Sequence, residues 1–241
     1  MSAKKRFYKE VTTIADNDGH LVHLDGRTLR SPAGTILALP TALMASAVAA
    51  EWDAQGDEIE PGAMPIFSLA VTVIDRVSTQ REILIDEMAA YGANDLMCYR
   101  EQDDDLSGRQ NAEWTPWLDW ARDELDAPLL VTSGIMPITQ PDQSVAALRG
   151  AVAAHDDWEL GMLHRVVALG GSLVLGLAFV RGKIDAKALF KLAFLDELWQ
   201  VEQWGSDWEA EDRRDALIAD FSEAETFLAL KRDNTSTDAN A

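Results

Sequence analysis

The hydrophobic period of the chain changes at Pro40, and that change restricts the fold more than any other feature of the sequence. Upstream, short β-rich runs mix apolar and polar residues, and His20-Leu21-Val22-His23-Leu24 is read as a strand of period two. A period of two puts one set of side chains on one face of a strand. Turn signals separate the runs at Asn17-Asp18-Gly19, Asp25-Gly26 and Ser31-Pro32-Ala33-Gly34, and Thr35 to Leu39 reads as a last short strand. Downstream, the period is helical. Thr41 can cap a helix whose apolar stripe is Met44, Val48 and Trp52, and a second helix is expected from Ile66 to Val77. Thr79 with Glu82, and Ser206 with Glu209, have the spacing of capping boxes. Pro116 is expected to start or kink a helix, and Pro141 to open one. The sequence therefore predicts an α+β chain. A small antiparallel β-rich domain with accompanying helices spans 1–77, and a larger all-α domain spans 78–232. The tail 233–241 has no residue able to anchor it beyond small ones and is expected to be disordered.

Charge narrows the function. The 241 residues carry 41 acids and 21 bases, a formal net charge of −20. Residues 1–40 are net +2, so the remainder is net −22. Nucleic acid and anionic membranes are met by Lys and Arg, and such a field repels them. A charged partner would be basic. The longest charge-free apolar run, Val166 to Val180, has fifteen residues, and a bilayer requires roughly 20, so it reads as a buried helix without membrane insertion. One cysteine, Cys98, excludes a disulfide scaffold. The basic start, Met1 to Arg6, is followed by neither an apolar signal core nor a presequence pattern, and a cytoplasmic location is expected.

The sequence offers little catalytic chemistry. Neither a phosphate-binding glycine loop nor a nucleophile elbow occurs. His20, His23, His155 and His164 lack metal-ligand spacing, and Asp103-Asp104-Asp105 lacks the alternation of a calcium loop. Gly170-Gly171-Ser172 with Gly176 suits close helix packing better than a phosphate. No cofactor, no metal and no enzymatic activity are expected. A small carboxylate- or metal-dependent hydrolase and a general acidic holdase are the alternatives.

The stretch Asp185 to Trp204, projected as one helix, is apolar nearly all round and so is expected to be central in its bundle. Glu197 then falls among Phe190, Ala193, Val201 and Trp204, and Glu202 between Lys191 and Leu195. A carboxylate there must be paired, protonated or set in a cleft, because burial of an isolated charge costs several kcal/mol. An internal ion pair and a partner-facing carboxylate both remain open for Glu197. Trp199 and Trp204 share this stretch, and Trp120 sits beside Asp119 and Asp123 as a possible anchor for a basic partner.

Several short segments carry a resemblance. They are Arg6-Phe7-Tyr8, Leu24-Asp25-Gly26-Arg27 with Leu29, Glu51-Trp52-Asp53-Ala54-Gln55, Asp95 to Arg100, Gln110 to Trp114, and Leu195 to Gln200 with Trp204-Gly205. In this order the chain resembles the assembly chaperones of F-type ATP synthase that bind the alpha subunit of its catalytic headpiece. The resemblance implies an ATP-independent chaperone that covers unassembled alpha subunit until the beta subunit replaces it. Eukaryotic members work in the mitochondrial matrix. It ties function to an acidic position that maps onto Glu197, with Asp196 as the neighbouring possibility, and it matches Trp52, whose helical stripe suggests packing. The expected partner-binding set is Glu197, Asp196, Glu202, Trp199, Trp204, Trp120 and Trp52, in a monomer.

Overall fold

A computed structural model describes residues 4–17, 19–134 and 137–232. The expected tail, 233–241, and Asp18 of the first turn lie outside them. A small antiparallel sheet comes first and the rest is mostly helical. The chain forms two compact units. The described residues up to Gln80, with those from Glu225 to Arg232, make the first, and the described residues from Arg81 to Ala224 the second. The last turns of the final helix thus cluster with residues of the first unit.

In the first unit, β1 (Lys4–Lys5) pairs antiparallel with β5 (Glu58–Ile59). β2 (Val11–Asp16) and β3 (Gly19–Leu24) form a hairpin in register Val11 opposite Leu24, and β4 (Arg27–Thr28) extends it on the other side of β3. β3 is the central strand and supplies buried Leu21, Val22 and Leu24. The strand expected over Thr35 to Leu39 is reduced to isolated bridges, Arg30 with Ile36 and His20 with Leu39. α1 (Ala42–Asp53) buries Met44, Ala45, Val48 and Trp52. Thr41 caps it, accepting from the Met44 amide at 3.1 Å while donating to the Leu230 carbonyl at 2.6 Å. α2 (Pro65–Thr72) starts where the Glu51 carboxylate accepts from the amides of Ile66 and Phe67, at 2.7 and 2.8 Å. An anion at a helix N-terminus satisfies orphan donors there. The expected helix to Val77 changes pitch at Val73 and continues as a wider π turn.

Two of the recognised segments meet in this unit. The Tyr8 hydroxyl donates to the Trp52 carbonyl at 2.6 Å, and the two rings pack edge to face. The Arg6 guanidinium lies 4.6 Å from the Tyr8 ring centre and donates to the carbonyls of Asp53 and Gln55.

The second unit is a helical array. α3 (Arg81–Ala93), α4 (Asp104–Leu125), α5 (Asp142–Ala153), α6 (Asp157–Gly170), α7 (Leu173–Val180), α8 (Ala186–Ala193), α9 (Leu195–Trp204) and α10 (Trp208–Arg232) follow in order, α10 entering the first unit at Glu225. β6 (Tyr99–Arg100) and β7 (Thr132–Ser133) make one short parallel pair. Every residue of α7 is buried, so α7 is the central helix of this unit. The run expected to be one apolar helix is two. Gly171, at φ +72°, ends α6, and Ser172 caps α7 by accepting from the Leu175 amide at 3.1 Å. Gly176 brings α7 against α6: a Cβ there would sit 2.5 Å from Val167 Cγ2 and 3.0 Å from Leu163 Cδ1.

Asp95 organises the same junction. It is fully buried, and its carboxylate accepts from the Met97 amide, the Val174 amide and the Ser172 hydroxyl at 3.0 to 3.1 Å. Burial pushes its carboxyl above the usual range, against the opposing pull of those donors.

Two expected N-termini differ. Thr79 forms no capping box; its hydroxyl donates back to the carbonyls of Asp75 and Arg76. Asp207, not Ser206, caps α10, accepting from the Ala210 amide at 2.8 Å. Pro116 neither starts nor ends a helix but lies inside α4. The carbonyl that loses its partner there belongs to Ala112, on the exposed side of α4, where water can replace the missing N–H.

Candidate functional site

The stretch from Asp185 to Trp204 is broken at Phe194, at φ −111° and ψ 25°. The Phe194 ring stacks on Phe190, centres 5.0 Å apart, and leans on buried Phe221. Phe194 keeps its own ladder bonds, its N–H donating to the Phe190 carbonyl at 3.0 Å and its carbonyl accepting from the Leu198 amide at 2.9 Å, so α8 and α9 are divided by its dihedral angles and not by lost bonds. The expectation of a single helix central in the bundle is therefore corrected. α8 buries Ala186, Leu189, Phe190 and Leu192, whereas α9 buries Leu195 alone. α9 is a surface helix, and angles projected from α8 do not carry past Phe194.

The carboxylates of α9 differ in their surroundings. Glu197 is about a quarter exposed and accepts from two guanidinium groups, Arg214 at 3.2 Å and Arg213 at 3.1 Å. Arg213 is mostly exposed and Arg214 mostly buried, so Glu197 is held from both sides of the surface. Arg214 also donates to the Ser206 hydroxyl, which ties the connector between α9 and α10 to the same group.

Asp196 lies deeper. Its carboxylate accepts from Gln110 Nε2 at 2.8 Å, and Gln110 Oε1 accepts from the Glu101 amide at 2.8 Å. Burial pushes the Asp196 carboxyl above its ordinary value. The Gln110 hydrogen bond pulls it down, the Glu101 charge pushes it up, and the Arg100 charge pulls it down. Arg100 is fixed nearby: its Nε donates to Asn111 Oδ1 at 3.0 Å and its guanidinium lies 5.1 Å from the Trp114 ring centre. Trp114 in turn donates to the Leu192 carbonyl at 2.9 Å. Three recognised segments, Asp95 to Arg100, Gln110 to Trp114 and Leu195 to Gln200, thus converge around one buried polar chain beneath α9.

Glu202 is at the surface, in an ion pair with Arg109 at 2.7 Å whose hydrogen bond holds its carboxyl below the usual range. Trp199 is half-buried and meets Trp204 edge to face at 5.6 Å, while Trp204 is 74% exposed. The remaining two residues of the expected set, Trp120 and Trp52, are on other elements, α4 and α1. Trp120 has Trp117 and Arg181 as ring neighbours, and its buried indole N–H has no acceptor. Trp52 belongs to the first unit, where it lines a groove of about 1380 Å³ with Tyr8, Leu29, Met64 and Phe67.

Sequence reasoning missed Trp208, which is 70% exposed, and the two arginines that hold Glu197. A signal for the arginines existed: Arg213 and Arg214 are the only bases among residues 196–215, which contain eight acids. Among the described residues no three His, Cys, Asp or Glu side chains converge as metal ligands, and no helix is long and apolar enough to cross a membrane.

Comparison with known proteins agrees with this architecture. Residues 5–122 match the model of a family described as ATP12 chaperone protein. The crystal structure of Atp12 from Paracoccus denitrificans superposes with a TM-score of 0.91 at 39% identity, over 95% of this chain and 99% of that one. The mitochondrial protein atp12 of Schizosaccharomyces pombe is 25% identical over 84% of this chain and 74% of its own. Mitochondrial ATP12 of Saccharomyces cerevisiae is 21% identical over 88% and 78%. This chain belongs to the ATP12 chaperone family.

Proposed function

We propose that this chain is a non-enzymatic chaperone for assembly of the catalytic headpiece of F-type ATP synthase. It binds the unassembled alpha subunit and covers the surface that later faces the beta subunit. Subunits awaiting partners expose apolar interface that would otherwise self-associate. Covering it takes roughly a standard interface, about 800 Å² per partner, held weakly enough that the true neighbour displaces it.

The observation that carries the reading is the surface built on α9, in a chain of this family. Glu197 is presented at the surface by two arginines, and Glu202 and Trp204 lie further along the same helix. Asp196 supports the helix from below through Gln110. In this reading Glu197 and Trp204 touch the client, and Trp199 backs Trp204. Glu202 steers approach through its charge. Trp120 and Trp52 act through packing in their own regions.

The test is capture of purified alpha subunit by the full chain, followed by addition of beta subunit. Alpha should be retained and then released as beta arrives. Absence of any alpha capture, under conditions where the chain is folded, rejects the proposal.

A further inference from the structure

Trp204 and Trp208 are 74% and 70% exposed and lie on either side of a three-residue connector. Tryptophan is highly buried on average, so two such exposed side chains within five positions, one ending α9 and one opening α10, are an unusual apolar feature of this connector. We infer that Trp204 and Trp208 are paired anchors for a client segment in which apolar side chains alternate with Lys or Arg. The inference deepens the chaperone reading above and rests on it.

The anchors sit on a fixed base. Trp204 leans edge to face on half-buried Trp199. Gly205, at φ +82° with open space around its Cα, makes the turn out of α9. Asp207 caps α10 one residue before Trp208, and Ser206 is held by Arg214, which also holds Glu197. A surface ordered before binding loses less freedom on association.

Charge names the occupant. Residues 196–215 contain eight acids and two bases; both arginines are engaged by Glu197 and Glu202 is paired with Arg109, which leaves six of the acids in excess of these pairs. The resulting field repels nucleic acid, anionic lipid and a second copy of the same face. It attracts ammonium and guanidinium groups, which also stack favourably on indole faces. Apolar residues between those cations fill the space against the two rings. Tryptophans at the centre of such a patch carry most of the binding energy.

The experiment uses the full chain and two synthetic amphipathic peptides of identical leucine pattern, one with lysine and one with glutamate at the polar positions. Wild type should bind the lysine peptide at least tenfold more tightly than the glutamate peptide, and salt should erase the difference. The Trp204→Ala/Trp208→Ala pair should weaken the lysine peptide by about tenfold or more, while Trp204→Phe/Trp208→Phe retains most of it. Unchanged thermal melts show that both variants fold. Equal binding of the two peptides, or full binding by the alanine pair, overturns the inference. A change in oligomeric state on replacing the tryptophans also overturns it, by assigning the surface to a second copy. Two outcomes separate the readings. Peptide binding as expected with no capture of alpha subunit leaves the anchors and removes the client. Full alpha capture by the alanine pair removes the anchors and leaves the client.

Discussion

Arg214, nine-tenths buried in its side chain, donates to Glu197 Oε1 at 3.2 Å and to the Ser206 hydroxyl. One guanidinium thus fixes both the acidic residue on α9 and the connector that follows it. Glu197→Lys would place a third cation against Arg213 and Arg214 and leave Arg214 without a counter-ion. Folding would suffer, on the order of 3 kcal/mol, as expected when one partner of a largely buried pair is removed. Glu197→Gln is the informative variant. It keeps an acceptor and the side-chain volume, costs about 1 kcal/mol, and should still weaken capture of alpha subunit. Chemical denaturation and a pull-down on the same preparations check both parts.

Asp196 yields a pH prediction. Its folded carboxyl is raised above the ordinary value, chiefly by burial, so the folded chain holds this proton more tightly than the unfolded chain. The stabilisation from protonation is complete below the unfolded value and is lost as pH rises through the folded one. At neutral pH the ionised group therefore opposes folding. Asp196→Asn keeps an oxygen for Gln110 Nε2 and should melt higher than wild type at pH 7, with the gap closing as pH falls toward the ordinary carboxylate range. A constant gap across that range would contradict the assignment.

Cys98 should be inert in the folded chain. It is fully buried, and burial, with the Asp95 charge adding to it and Arg100 opposing, pushes its thiol up to about 12. At pH 8 the thiolate fraction is then ~10⁻⁴. A thiol-reactive reagent should label Cys98 only after denaturant is added, with labelling following the unfolding curve.

Gly176 and Gly150 form a matched pair of tests. Alanine in a helix interior gains about 1 kcal/mol over glycine. Nothing lies within 4 Å of a Cβ built on Gly150 of α5, so Gly150→Ala should stabilise by about 0.5 to 1 kcal/mol. A Cβ on Gly176 meets Val167 and Leu163 in the core, where overpacking costs about 1 to 3 kcal/mol, so Gly176→Ala should destabilise despite its better propensity. Opposite shifts in denaturation midpoint are expected.

Asp95→Ala should be the most damaging of the single substitutions considered. It leaves the amides of Met97 and Val174 and the Ser172 hydroxyl without their acceptor in a fully buried site. Each unsatisfied donor costs about 1 to 3 kcal/mol. Loss of cooperative thermal unfolding, by circular dichroism, is the expected result.

Much of this was legible in the sequence because the signals are local. The short apolar run Leu21, Val22 and Leu24 between turn signals made β3, the stripe Met44, Val48 and Trp52 packed α1, and Thr41 caps α1 because its side chain can reach the amide three positions on. The run from Val166 to Val180 had to be buried because it has no charge to offer water, and α7 is indeed buried throughout. Only tertiary structure decided where helices break and what lies opposite an acid. α8 and α9 divide at Phe194, whose ring packs on Phe190 and Phe221, and Glu197 meets Arg213 and Arg214 because α10 folds back beside α9. Capping and periodicity act over a few residues, which a sequence records directly. A ring stack or an ion pair is a contact between segments, and its energy exists only once the intervening chain has closed.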